Sequence, residues 1–281
     1  MQHEAVDGVV VRVWDKGEND RYLSVLTAAH GRILLLSKGS RSLRGEQRAI
    51  SQLYTYANFE FYRRGTTCIL KGGSPIQIFY GISEELDRLN LATYLCDLIC
   101  ELTDEGEEAQ EMLRLLLNSL YAISKGLYSL AIIKGAFELR AAAMSGYAPE
   151  LDGCAFCGGG EDGELYLDVM NGALLCPDCL KKRGRSAPTA HSYDDVREAD
   201  VLCPLTPAAT AALRYVTAAP LSRLFSFGLS DGDDLHLFEA AAETYILSHI
   251  GHGFETLNFY HALKKPMKQP NRTKDTKGTK A

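Results

Sequence analysis

The chain of 281 residues contains no run of 18 or more apolar residues, so no membrane-spanning helix is expected. Its first residues, Met1-Gln2-His3-Glu4, lack the basic stretch followed by an apolar one that marks a secretory signal, and a cytoplasmic protein is expected. The signatures of several enzyme classes are missing: there is no Walker loop, no His-Glu-x-x-His, no nucleophile elbow and no Gly-x-Gly-x-x-Gly turn. A non-enzymatic role is therefore expected. Net positive charge is also lacking, because the chain carries −6 at pH 7. That total suits a nucleic-acid partner poorly, but the distribution is uneven. Residues 1–80 hold 11 Lys or Arg against 7 Asp or Glu, and residues 264–281 hold 7 against 1, which leaves −16 for the segment between them. A polyanion is drawn to the two ends and repelled by the middle.

Hydrophobic residues make up 46% of the chain, enough for two domains or for one domain with an inserted module. The first 80 residues read as strands. Val6 to Trp14, Tyr22 to Thr27 and Arg32 to Lys38 are rich in Val, Ile and Leu, with turns at Gly17-Glu18-Asn19-Asp20 and Gly31. Leu53 to Tyr62 alternates, and a last strand pair, Cys68 to Lys71 and Ile76 to Tyr80, flanks Gly72-Gly73. Five short strands in this length suit a small closed barrel of the OB type.

From Ser83, a candidate N-cap, the pattern turns helical, with further helices over about 107–124 and 128–145 and an exit at Gly146-Tyr147-Ala148-Pro149. Helices resume at about 207–218, 220–227 and 235–252. The expected architecture is α+β and multidomain: an OB-fold barrel over 1–81, then a helical bundle in two parts, 82–149 and 186–263, around an inserted module at 150–185. The start of the second part, to about 205, reads as a linker with some order. The segment 264–281 is polar and basic and is expected to be a disordered tail.

The strongest chemical signal is Cys154-x2-Cys157 followed, after eighteen residues, by Cys176-x2-Cys179. Two residues between thiolates let a tight turn present both sulfurs to one tetrahedral ion, and this spacing fits one structural zinc per chain. Four thiolates leave no open position for water, which disfavours a zinc hydrolase. Degenerate knuckles or redox dithiols are the competing readings. Cys68, Cys96, Cys100 and Cys203 read as core thiols, and His249 and His252 as structural.

The second signal is the loop from Ser37 to Arg48, whose cations Lys38, Arg41, Arg44 and Arg48 are separated by small residues. At a barrel mouth such a loop can follow a phosphate backbone; an ordinary solvated loop is the competing reading. Arg12, Arg63 and Arg64 are expected to extend the track. Trp14, Tyr22, Tyr54, Tyr56 and Tyr62 either stack bases or pack the barrel.

The residues also resemble a known family, the bacterial DNA repair protein RecO. The resemblance rests on Tyr22-Leu23-Ser24-Val25-Leu26-Thr27, His30-Gly31-Arg32 and Leu36-Ser37-Lys38-Gly39-Ser40-Arg41 in the barrel. More specific is the passage of a helix through Phe137-Glu138-Leu139-Arg140 and Ser145-Gly146-Tyr147-Ala148-Pro149-Glu150-Leu151 into Cys154-Ala155-Phe156-Cys157. It implies an OB-fold, a helical bundle and a zinc module in a recombination mediator associated with the nucleoid. Such a protein binds single- and double-stranded DNA, anneals complementary strands, and cooperates with RecR and single-stranded DNA-binding protein to help load RecA. The alternative is a zinc-containing interaction scaffold with little DNA affinity of its own.

Overall fold

In a computed structural model, described over residues 3–42, 47–64, 67–159, 163–183, 201–230 and 232–264, the first five strands close into a barrel. They are β1 (His3–Lys16), β2 (Asp20–Thr27), β3 (Gly31–Ser37), β4 (Tyr56–Arg64) and β5 (Thr67–Gln77), in spatial order β1-β2-β3-β5-β4. Only the β3–β5 pair is parallel. Closure depends on β1, which pairs with β4 from His3 to Val9 and with β2 from Gly8 to Lys16. An irregularity between Val10 and Arg12 bends the strand from one neighbour to the other. Val10 therefore faces the barrel interior with Leu23, Val25, Ile33, Leu35, Phe59 and Phe61, while Val9 and Val11 join the core that the helices build. The barrel, the helical region and the cysteine insert are the architecture expected from the sequence.

Two barrel details differ from the sequence reading. The segment around Gly72-Gly73 is not a hairpin between two strands, because β5 runs through it as one strand opposite β4. A Cβ on Gly73 would lie 2.1 Å from the Asn58 carbonyl oxygen, so the glycine serves a close backbone approach and not a turn. The alternation read from Leu53 also begins too early. β4 starts at Tyr56, and Tyr54, at φ 63°, turns its ring inward and bonds its hydroxyl to Thr93 at 2.7 Å.

A 3-10 turn (Tyr80–Ile82) leads into α1 (Leu86–Leu102), whose cap position is Glu85 and not Ser83. α2 (Gln110–Lys125) and α3 (Leu130–Met144) follow, the latter capped by Ser129, whose Oγ accepts from the Ile132 N–H. The cysteine insert comprises β6 (Glu150–Cys154), β7 (Leu165–Asp168), β8 (Ala173–Leu175) and α4 (Pro177–Lys182). Beyond it come β9 (Leu202–Leu205), α5 (Pro207–Ala218), α6 (Asp233–Ile250) and α7 (Glu255–Lys264). The helix read at 220–227 is reduced to one 3-10 turn (Leu221–Arg223), held by the Tyr215 hydroxyl, which donates to the Arg223 carbonyl. α7 was not legible in the sequence, and Lys264, read as the start of the tail, ends it in an ion pair with Glu239. The tail from residue 265 and Arg44 lie outside the described residues. Among the described residues no helix is long and apolar enough to cross a membrane.

Barrel and helices are joined by backbone and side-chain contacts. The loop after α1 docks on the β2–β3 turn: Arg32 N–H donates to the Asp104 carbonyl and Gly106 N–H to that of His30. Gly31, at φ 58°, has no room for a Cβ, which would meet the Asp104 carbonyl oxygen at 2.0 Å. Gly31→Ala should therefore cost on the order of 2 kcal/mol from backbone strain alone. Denaturant unfolding measures this, and a midpoint equal to wild type would show that the turn yields freely. Nearby, Asp97 accepts from the Arg12 guanidinium (2.7 Å) and from the Thr256 hydroxyl (3.0 Å), tying β1, α1 and α7 together.

A buried charged cluster sits in the helical core. Lys134 and Glu138 on α3 are both fully buried, with Lys134 Nζ 2.8 Å from Glu138 Oε1 and 2.6 Å from Glu243 Oε2 on α6. The Tyr94 hydroxyl of α1 donates to Glu138 at 2.7 Å, and His261 of α7 lies 2.9 Å from Glu243. Burial pushes the Glu138 carboxyl up to about 7, against the pull of Lys134. Lys134 is raised despite its burial, by Glu138 and Glu243, and Glu243 is lowered by Lys134 and His261.

Candidate metal centre and nucleic-acid interface

Four strands carry the cysteines, in the order β6-β8-β7-β9. β7 and β8 form an antiparallel hairpin between the two cysteine pairs. β9, in a stretch the sequence reads as a linker, pairs antiparallel with β7 over Leu165–Asp168, so the second part of the chain completes the sheet. Cys154 ends β6. Its carbonyl accepts from the Gly158 N–H (2.8 Å) and its N–H donates to the Gly159 carbonyl (3.0 Å), which folds the first knuckle around Cys157. Gly158 takes φ 67° there, the freedom that the glycine run supplies. Cys176 caps α4, its sulfur accepting from the Cys179 N–H at 3.4 Å. Both cysteine pairs are thus set by short-range turns, and the β6–β8 contact brings the pairs together.

The four sulfurs lie within 4.8 Å of one another, and Cys157 Sγ and Cys176 Sγ are 3.8 Å apart. Bonds of about 2.3 Å in a tetrahedron place sulfurs about 3.8 Å apart, so the donor set fits a tetrahedral thiolate-bound cation. Burial works against the Cys154 thiolate, but N–H groups of Cys176, Phe156 and Cys157 bring its pKa down to about 6. Hydrogen bonding with Cys176, burial and the other two sulfurs push Cys179 up to about 12. Four crowded thiols share protons that a cation would replace. The other cysteines take no part. Cys68, Cys96 and Cys100 are buried, and burial raises each thiol.

On the barrel, Trp14 and Tyr22 face each other across the β1–β2 pair with ring centroids 5.8 Å apart, and Trp14 is 40% exposed. Lys16 lies over the Tyr22 ring at 4.7 Å and donates to its hydroxyl. The loop after β3 is fastened beside them: Gly39 N–H donates to Asp20 Oδ1, Arg41 N–H to the Asn19 carbonyl, and the Arg41 guanidinium to the Gly17 carbonyl. Lys38 and Arg41 are both exposed. Exposed Trp14, half-buried Tyr22, Lys16 and this loop therefore share one edge of the barrel. Lys16 is the member that sequence reasoning passed over, although its spacing two residues after Trp14 puts both on one face of β1.

The remaining candidates are placed differently. Arg12 is held by Asp97 at the barrel–helix junction, and Arg63 by Glu4 at 3.1 Å with Glu105 nearby. Arg63 and Arg64 lie just past the Tyr62–His3 pairing, at the opposite end of β1 from Trp14 and Lys16. Arg48 is exposed in the turn that follows Gln47, whose amide reaches the Leu70 and Lys71 carbonyls. Among the described residues no carboxylate is within 4.0 Å of Lys38, Arg48 or Arg64, whereas Arg41 lies 3.5 Å from Asp15. Tyr54 is a packing residue, and Tyr56 is half-buried against the helical core.

Comparison with known proteins agrees with this arrangement. Residues 1–79 match the family model described as Recombination protein O N terminal, and residues 83–192, which include the cysteine cluster, match Recombination protein O C terminal. A protein of Acetivibrio thermocellus named DNA repair protein RecO is 27% identical over 267 residues, 94% of this chain and 99% of its own length. That of Rubrobacter xylanophilus, with the same name, is 32% identical over 220 residues, 78% of this chain and 82% of its own. The barrel, the first three helices and the cysteine insert fall within the matched regions, and the chain belongs to the recombination protein O family, whose role is in DNA repair and recombination.

Proposed function

We propose that the chain is a non-enzymatic recombination mediator that binds single-stranded DNA on the barrel edge and anneals it to a complementary strand. The observation that carries this reading is the pairing of exposed Trp14 with half-buried Tyr22, bordered by Lys16, Lys38 and Arg41 on a closed barrel. Aromatic faces accept any base, and the cations neutralise the phosphates that pass them. The ion pair of Arg41 with Asp15 is exposed and worth less than about 1 kcal/mol, so a phosphate can displace it. Annealing breaks no covalent bond: it requires only that two repelling strands be neutralised and held together. Duplex DNA binds through the same cations without base stacking.

Family membership supports RecR, single-stranded DNA-binding protein and, indirectly, RecA as partners on the nucleoid. The cysteine cluster holds one zinc ion in a structural role, with Cys154, Cys157, Cys176 and Cys179 as its ligands. When bound, the ion supplies a cross-link between the two knuckles, and four thiolates leave it no open position for chemistry.

Salt dependence tests the barrel assignment. Replacing Lys16, Lys38 and Arg41 by Ala together should reduce the slope of log K against log salt by about 2 on single strands, at about 0.7 per lost contact. Trp14→Ala should weaken binding by about 1–3 kcal/mol with the slope unchanged. If wild-type protein has little affinity for oligonucleotides at physiological salt, the scaffold reading replaces this one; it would draw on the acidic middle of the chain and on Arg12 and Arg63 being occupied by carboxylates.

A further inference from the structure

The metal module carries a second cationic surface that the barrel reading does not use. α4 ends in Lys181 and Lys182 and is followed by Arg183, all exposed. Among the described residues no carboxylate lies within 4.0 Å of any of them, in contrast to the paired Arg12, Arg41 and Arg63 of the barrel. Beside them, between the first two cysteines, Phe156 is 49% exposed, and the Arg183 guanidinium lies over its ring at 3.2 Å from the centroid. The knuckle fixes the Phe156 backbone, and α4 fixes Arg183, whose N–H donates to the Cys179 carbonyl. The stacked pair is therefore pre-positioned by the same turns that gather the sulfurs.

We propose that Phe156, Lys181, Lys182 and Arg183 form a second single-strand DNA site, which rests on the reading of the protein as a DNA annealer. An exposed ring with a guanidinium stacked on it offers a flat face to an unpaired base, and two free ammonium groups beside it neutralise flanking phosphates. An acidic peptide would use the charges but leave the ring without a role. A base within duplex cannot reach the ring, so the site selects single strands. The module packs on the α5–α6 side of the helical core and the barrel on the α1–α2 side. The two sites thus belong to different faces of the bundle, and one chain can hold two strands at once.

Photocrosslinking of the full-length protein to a 5-iodouracil-substituted oligothymidylate, with mass-spectrometric mapping, separates the two claims. The expected result is crosslinks at both Phe156 and the Trp14–Tyr22 pair, with the Phe156 crosslink lost at least tenfold in K181E/K182E at unchanged metal content. Crosslinks confined to the barrel overturn the second site and leave the barrel reading standing. Crosslinks at Phe156 alone support the second site and remove the barrel one, and none at either removes both. A fluorescent acidic decapeptide that binds in a Lys181- and Lys182-dependent way, without any Phe156 crosslink, overturns the assignment to nucleic acid.

Discussion

Removing the metal should unfold the 150–183 module while leaving the barrel closed. Elemental analysis of protein purified without added metal is expected to give about one zinc per chain, and chelation or Cys154→Ser should lower the melting temperature sharply. The apparent free energy of zinc binding in isolated finger peptides is about 10–16 kcal/mol at pH 7, and it is coupled to folding. The loss here should be smaller, because the module does not stand alone. Leu165, Leu167, Val169, Leu174 and Leu205 share the core of the helices, and the Arg214 guanidinium of α5 donates to the Leu151 carbonyl at 2.6 Å. Hydrogen exchange should localise the effect: amides of β6, β8 and α4 lose protection, and those of β1 to β5 keep it. Because cysteine ligands bind deprotonated, metal affinity should fall as pH is lowered. A metal-free protein with undiminished thermal stability would sink the structural-zinc assignment.

Replacing Lys134 by Met should cost about 3–5 kcal/mol, the usual penalty for breaking a buried ion pair from one side. The variant keeps much of the side-chain volume but leaves Glu138 fully buried with only the Tyr94 hydroxyl as donor. The loss should depend on pH in a fixed direction. Glu138 has its folded pKa raised to about 7, above its ordinary 4.5, so its contribution is present below about 4.5 and is lost as pH rises through 7. Without Lys134 that rise is larger. Glu243 is lowered in the native protein, so its contribution exists above its ordinary range and is lost as pH falls; without Lys134 that gain shrinks. The Glu138 effect enlarges the penalty as pH rises from about 4.5 to 8, and the Glu243 effect acts in the same direction mainly below that range. Urea unfolding of wild type and variant at the two ends of that range checks it, and a penalty equal or larger at the acid end would contradict the arrangement.

What could be read from the sequence was set by short-range chemistry. The Cys-x2-Cys pairs are local turns, so the cluster was legible in full, as were the strands β1 to β3, with their β-branched runs and glycine turns. The Gly72-Gly73 pair misled because a glycine that admits a neighbouring backbone looks, in sequence, like one that turns. Leu53 to Tyr62 misled because alternation continues through a turn whose direction is fixed by a distant partner, Thr93. β9 has four residues and exists because β7 has a free edge; nothing in Leu202–Leu205 alone announces that. The cations Arg12, Arg41 and Arg63 show the same limit at the surface. Their spacing marks a basic segment, but the partners at Asp97, Asp15 and Glu4 decide which of them are spoken for.

The seating of α7 against α1 sets an order on the ribosome. With its amide oriented to satisfy both neighbours, Asn90 donates to the Thr256 carbonyl at 3.2 Å and accepts from the Tyr260 N–H at 2.7 Å, and Tyr260 is buried. These partners are more than 160 residues downstream of Asn90, so α1 emerges long before the helix that covers it. The barrel, whose pairings all fall within the first 77 residues, can close as soon as β5 is out. At roughly 5–20 residues per second, α1 then waits about 10–30 s with the part of its surface that α7 covers still exposed. During synthesis the nascent chain is a finished barrel followed by an unfinished bundle, which α7 completes.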